Sequence, residues 1–191
     1  MSEGIRTRRW TRKEYDRLIE FGVFRPDESL ELLGGELVVG EPQSSPHYIA
    51  IGLVEEALHA ALGPGWLVRP DGPLALDEES EPEPDVSLVP GTWRDYTAEH
   101  PARPVLVVEV SLSRLTFDRE HKGSLYARSG LVDYWIVNLV DRILEVHRAP
   151  VADATARFGW RYASVERLGA EGTASPLAAP DARVRVSDLL P

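Results

Sequence analysis

Three runs read in order, P-D-V-S-L-V at 84–89, P-V-L-V-V-E-V-S at 104–111 and S-R-L-T-F-D-R-E-H-K at 113–122, decide how this chain folds. The first two are short apolar β runs, and the second is apolar on both faces, as a central strand of a sheet is. Paired as an antiparallel hairpin, they set 89 opposite 105 and therefore 85 opposite 109. That register lays two carboxylates, Asp85 and Glu109, side by side at one end of the sheet. A carboxylate inside so apolar a run costs several kcal/mol unless something compensates it. Two neighbouring carboxylates also repel, so one titrates high unless a cation sits with them. Mg²⁺, or Mn²⁺ in its place, is the simplest compensation, being held by one or two carboxylates together with water and phosphate oxygens. Lys122 enters from the helix that follows, where an ammonium can offset charge building on a phosphate.

Lys122 also stands out by composition, being one of two lysines against nineteen arginines. Arginine cannot imitate a compact point charge with a movable pKa. The plainer explanation is an i,i+4 ion pair with Asp118.

An Asp followed by Glu-x-(Lys or a substitute) on adjacent strands is similar to the PD-(D/E)XK nuclease core. E-P-E-P-D-V-S-L-V (81–89), V-L-V-V-E-V-S (105–111), F-D-R-E-H-K-G-S-L-Y-A-R-S-G (117–130) and D-Y-W-I-V-N-L (133–139) together resemble the Uma2 family of restriction-endonuclease-like proteins. L-E-L-L-G-G-E-L-V (30–38) and S-S-P-H (44–47) extend the likeness over nearly the whole chain. The resemblance implies an α/β (α+β) domain over 1–191. Its restriction-endonuclease-like mixed β-sheet is flanked by helices, with an N-terminal helix and a β-hairpin added. It implies divalent-metal-dependent cleavage of DNA, with Asp85 and Glu109 as metal ligands and Lys122 as the catalytic cation. Ser111 occupies the place of the usual motif's lysine, a role the resemblance moves to Lys122. Glu31, His47, Ser111 and Asp118 are the supporting residues.

The composition excludes several classes. With no cysteine, disulfides, thiolate metal sites and a cysteine nucleophile are all ruled out. No apolar run reaches the roughly 18 residues of a membrane span, and the first residues do not read as a signal peptide, so a cytoplasmic location is expected. The net charge of −10 runs against the usual basic footprint of a nucleic-acid binder. The charge is uneven, however. Residues 71–85 carry seven acids and no Lys or Arg, whereas 114–128 carry Arg114, Arg119, Lys122 and Arg128 against Asp118 and Glu120.

Along the chain, Thr11 and Glu14 form a capping box that starts a helix ending at Gly22. After a Pro26-Asp27 turn, 30–33 and 36–39 flank Gly34-Gly35 as a tight hairpin. Glu31 reads first as an outward charge on that hairpin, with a supporting place at the metal site as the second reading. Ser45-Pro46 opens a helix to Leu62 with Ile49, Leu53, Ala57 and Ala60 as its core face. His47, in its first turn, is a capping group or a substrate contact. Residues 66–69 and 73–76 read as paired strands, 77–83 as a solvated acidic connector, and 90–103 as a flap or a long hairpin connection. A helix from Phe117 to Ser129 with Leu125 and Tyr126 inward leads to a strand at 132–137 parallel to 105–110, then to a pairing strand at 143–147. Residues 149–157 read as loop, and 158–165 and 182–186 as edge strands. Leu189 and Leu190 form an apolar tab that, with the resemblance, suggests a homodimer.

Three functions compete. The leading one is a metal-dependent DNA endonuclease. A catalytically inert nucleic-acid-binding or interaction module comes second, favoured by Ser111 and the acidic charge. A glycosidase acid/base pair comes last, because it leaves Lys122 without a role.

Overall fold

The computed structural model describes residues 7–25, 28–40 and 42–191. Its centre is a six-stranded mixed sheet in the order β3 (Trp66–Pro70), β4 (Val86–Pro90), β5 (Leu106–Ser111), β6 (Asp133–Asn138), β7 (Ile143–Ala152) and β8 (Trp160–Leu168). Every neighbouring pair is antiparallel except β5 and β6, which run parallel. The expected hairpin register holds. Val86 pairs with Val108, Ser87 with Val107 and Leu88 with Leu106, so the alignment that sets 85 against 109 is the one adopted.

Alternation along β5 divides the core in two. Val108 and Val110 face α2 (Ser45–Ala61), joining Ala50, Ile51, Val54 and Leu58. Val107 faces the other way, toward Tyr126 and Ala127 of α3 (Gly123–Arg128), with Tyr134 and Ile136. The sheet is therefore the middle of three layers. The inward face of α2 is one residue out of phase with the expected one, and Ile49 is exposed. The helix opens at an N-cap of Ser44, with Ser45 and Pro46 already inside its first turn.

The first helix, α1 (Arg12–Glu20), starts from the expected capping box of Thr11 and Glu14. Tyr15 on its inner face donates its hydroxyl to the Leu30 carbonyl at 2.6 Å, anchoring the hairpin of β1 (Leu30–Leu33) and β2 (Glu36–Val39). Gly34 and Gly35 turn the hairpin with φ of 58° and 83°, a conformation that costs side-chain-bearing residues and not glycine. The Pro26-Asp27 turn lies outside the described residues.

Four expectations need correction. Residues 73–76 form no strand, because β3 pairs with β4. The 77–83 stretch is not a solvated connector: Ser80 and Glu81 are buried, Glu81 bridges Leu32 of the hairpin, and its carboxylate receives Arg12 Nε at 2.8 Å. Residues 149–152 continue β7, where Pro150, Val151 and Ala152 pair with β8. The 182–186 segment contributes only β10 (Val184–Arg185), which pairs with β9 (Thr173–Ala174) in a small separate sheet. The apolar tab is buried in the α2-side core, with Leu189 and Leu190 packed there. No helix among the described residues is long and apolar enough to cross a membrane.

Candidate active site

The β4–β5 ladder ends at Val86, leaving the backbone of Val110 beyond it to be met by side chains. Asp85 Oδ2 accepts the Val110 N–H at 2.6 Å. The Val110 carbonyl lies 2.8 Å from His47 Nε2, in the first turn of α2. A carbonyl only accepts, so Nε2 carries the proton. The same nitrogen lies 3.4 Å from Asp85 Oδ2, and that contact is the main reason the His47 pKa is raised above its usual value, against the pull of burial.

Glu109, one residue earlier, points to the opposite face of β5 and is 3% exposed. Its Oε1 accepts from Lys122 Nζ at 3.0 Å and from the Tyr126 hydroxyl at 2.7 Å. Lys122 and Tyr126 are four residues apart and so share one helix face. Lys122, 5% exposed, also reaches Glu31 Oε2 at 3.1 Å, and that carboxylate in turn accepts the Glu83 N–H at 3.0 Å. Glu31 is therefore no outward charge on an edge strand; the hairpin delivers it inward to the lysine. The expected Asp118–Lys122 ion pair is not made, since the ammonium is spent on Glu109 and Glu31. The reason is local: Phe117–Lys122 winds as a π-helical turn, in which Gly123 N–H bonds back to Asp118. π-Turns inside helices recur at functional sites.

The electrostatics follow from burial around one ammonium. Burial lifts the Glu109 carboxyl well above its usual range; Lys122 opposes the rise, while Asp85, Asp118 and Glu31 add to it. Burial also raises Asp118, against Lys122 and the neighbouring Ser111. Burial alone would lower the Lys122 pKa, but Glu109, Glu31, Asp85 and Asp118 together outweigh it and hold the amine protonated. Glu83 is pushed up to about 7, first by burial and then by the charges of Glu31 and Glu81.

All seven residues singled out from sequence, Glu31, His47, Asp85, Glu109, Ser111, Asp118 and Lys122, line one cleft of about 290 Å³. Sequence reasoning missed Tyr126, read only as core, though its spacing from Lys122 could have flagged it. It also missed Glu83, which precedes Asp85 by two residues and so shares its side of an extended chain. Residues 90–103 do not line the cleft, and their one helical turn, Trp93–Tyr96, is mostly exposed; they form a hairpin connection.

The order of these motifs along the chain is matched by the Uma2 family, described as "Putative restriction endonuclease", over residues 12–186. The chain belongs to the Uma2 family. A solved structure of a protein described as "a putative nuclease belonging to DUF820", from Anabaena variabilis, superposes with a TM-score of 0.65. It is 13% identical, over 94% of this Uma2 chain and 97% of that one, a likeness of fold alone. No curated protein sequence matches this chain.

The donor set of this Uma2 cleft suits a hard cation: carboxylates crowd around a single lysine, and the most buried of them is driven toward protonation. Among the described residues, no three His, Asp or Glu side chains converge as a ready-made cage. Mg²⁺ does not need one, because it keeps several waters and takes one or two carboxylates.

Proposed function

We propose that this chain is a divalent-metal-dependent endonuclease acting on DNA phosphodiester bonds, with Asp85 and Glu109 holding Mg²⁺ or Mn²⁺. One observation carries the reading: Glu109, buried at the cleft floor, shares a lysine with Glu31 and still keeps a carboxyl raised by its surroundings. Such a carboxylate is short of positive charge, and a cation shared with Asp85 would supply it. Bound there, a divalent ion contributes Lewis acidity toward water and a phosphate oxygen.

The protein's own groups have separate parts in this reading. Tyr126 and Lys122 fix the Glu109 carboxylate in one orientation. The Val110 N–H and His47 do the same for Asp85. Lys122 lines the cleft, so its charge also faces an entering phosphate. Asp118 and Ser111, both buried, line the same cleft.

A second reading, a nucleic-acid-binding module without catalysis, is favoured by the ammonium of Lys122, which already occupies the place between two carboxylates that a metal would contest. Purified protein with Mg²⁺ or Mn²⁺ decides between them. The nuclease cleaves DNA, and Glu109→Gln, which keeps an acceptor for Lys122 and Tyr126, lowers the rate by at least about a hundredfold without unfolding. The metal raises the melting temperature of the wild type by mass action, and Asp85→Asn loses that rise. Supercoiled, linear and single-stranded DNA all left intact with both metals would hand the assignment to the binding module.

A further inference from the structure

Beside the carboxylate cleft lies a second one of about 690 Å³, in the size range of small-molecule sites. Leu112, Ser113, Arg114 and Phe117 line both, so the two are adjacent. Their linings differ in character. The first is acidic; the second carries Arg114, Arg157 in an ion pair with Glu36 at 2.6 Å, and His121, whose pKa burial lowers, beside Glu120.

Within it, side chains stack in a column. His121 lies on Phe117 with ring centroids 4.7 Å apart and planes inclined by 22°. The Arg114 guanidinium covers Phe117, 4.2 Å from the ring centroid. Phe158, outside the cleft lining, backs the other end, edge-on to His121 at 5.1 Å. The end of the column toward the carboxylate cleft is therefore a planar cation.

The cations along the path of a phosphate can be sorted by what already neutralises them. Lys122 is held by Glu109 and Glu31, and His47 lies against Asp85. Arg114, the remaining cation of the first cleft, forms no ion pair among the described residues; its one hydrogen bond is a long 3.4 Å contact to the Val39 carbonyl. A guanidinium in that state has donors left for phosphate and a face left for a base.

We infer that the second cleft binds the nucleotide next to the scissile phosphate of an unpaired DNA strand, with Arg114 gripping the intervening phosphate and offering its plane to the base. The nucleotide's place rests on the proposed cleavage site; the preference for an unpaired strand comes from the shape of the clefts. Glu109 and Lys122 are 3% and 5% exposed at the floor of the first one. Duplex DNA is stiff over about 150 base pairs and holds each phosphate on the outside of a cylinder. A single strand bends, so it can lower one phosphate to that floor while its neighbouring base turns into the stacked cleft. Stacking a base on an aromatic or guanidinium plane is worth a factor of about ten in affinity or more.

The test is fluorescence anisotropy of a short labelled single strand and of the same strand annealed to its complement, in EDTA so that no cleavage intervenes. The single strand binds at least about tenfold more tightly than the duplex. Arg114→Ala removes that preference. Arg114→Lys keeps the salt dependence but recovers only part of the affinity, because it restores a charge and not a plane. Arg157→Gln, at the other cation of the second cleft, also weakens single-strand binding. Equal or tighter binding of the duplex, or undiminished single-strand binding by both Arg114→Ala and Arg157→Gln, overturns the proposal. Tighter binding of an RNA strand of the same sequence overturns its assignment to DNA. Single-strand preference without any metal-dependent cleavage removes the nuclease reading and keeps this site. Cleavage without the preference removes this site and keeps the nuclease.

Discussion

A lysine buried against two carboxylates leaves their charge uncompensated when the lysine is the group removed. Removing Lys122 alone would strand Glu31 and Glu109 as unpaired buried charges, a loss of about 3–5 kcal/mol. For that reason Glu109→Gln is the cleaner probe of chemistry. Glu83 presents the opposite case, a cleft carboxyl whose charge costs stability. Below pH 4.5, its ordinary value, it is protonated whether the chain is folded or not, and it contributes nothing. Between 4.5 and about 7 only the folded state keeps the proton, so stability falls as pH rises; above about 7 the penalty is complete. Glu83→Gln therefore stabilises the metal-free protein above pH 7 by about 1 kcal/mol, discounted for the solvent that reaches this half-buried group. In a domain of this size that is about 2–4 °C of melting temperature. Melting curves in EDTA at both ends of the range check it, and an equal gain at acidic pH would show that the carboxyl carries no such cost.

At the level of elements, the parts legible in sequence were those governed by local pattern. The β4–β5 register, the parallel β6, the inward Leu125 and Tyr126, the capping box of α1 and the Gly-Gly hairpin all follow from alternation, spacing or turn chemistry. The site was legible because its residues sit on those same elements. What was not legible depended on which elements meet. Glu31 alternates as an outward residue would, but the hairpin docks against 80–83 and Lys122, making that side an inside. The π-turn at Phe117–Lys122 has no signature in helical periodicity, so Asp118 and Lys122 looked like an ordinary i,i+4 pair. The hairpin's role gives a prediction at this scale. A Cβ at Gly34 would run into the Phe158 ring while the backbone stayed at φ 58°. Gly34→Ala should lower stability by about 1–3 kcal/mol in urea unfolding and disturb Glu31 at a distance. Wild-type stability in this variant would mean that the hairpin is not braced against Phe158.

For the whole molecule, the question is where the two ends of the apolar surface are spent. The acidic net charge of −10 led away from nucleic acid, yet the charge is partitioned: carboxylates gather in one cleft, and Arg114, without an ion pair among the described residues, stands between it and the next. Net charge describes neither. The apolar tab at Leu189 and Leu190 was the sequence's argument for a homodimer, and in the fold it packs against α2 together with Val184 and Val186. The β1 edge of the hairpin meets Glu81, and β10 pairs with β9. A buried leucine truncated to alanine loses about 2–5 kcal/mol through lost transfer energy and the cavity left behind. Leu189→Ala should therefore lower the melting temperature by an amount independent of protein concentration, because the contact it breaks is intramolecular. If the tab instead sealed a dimer, the loss would grow on dilution, since association couples stability to concentration by mass action. Melting curves of wild type and variant over a wide dilution series separate the two, and a shift that deepens on dilution would return the tab to an interface between copies.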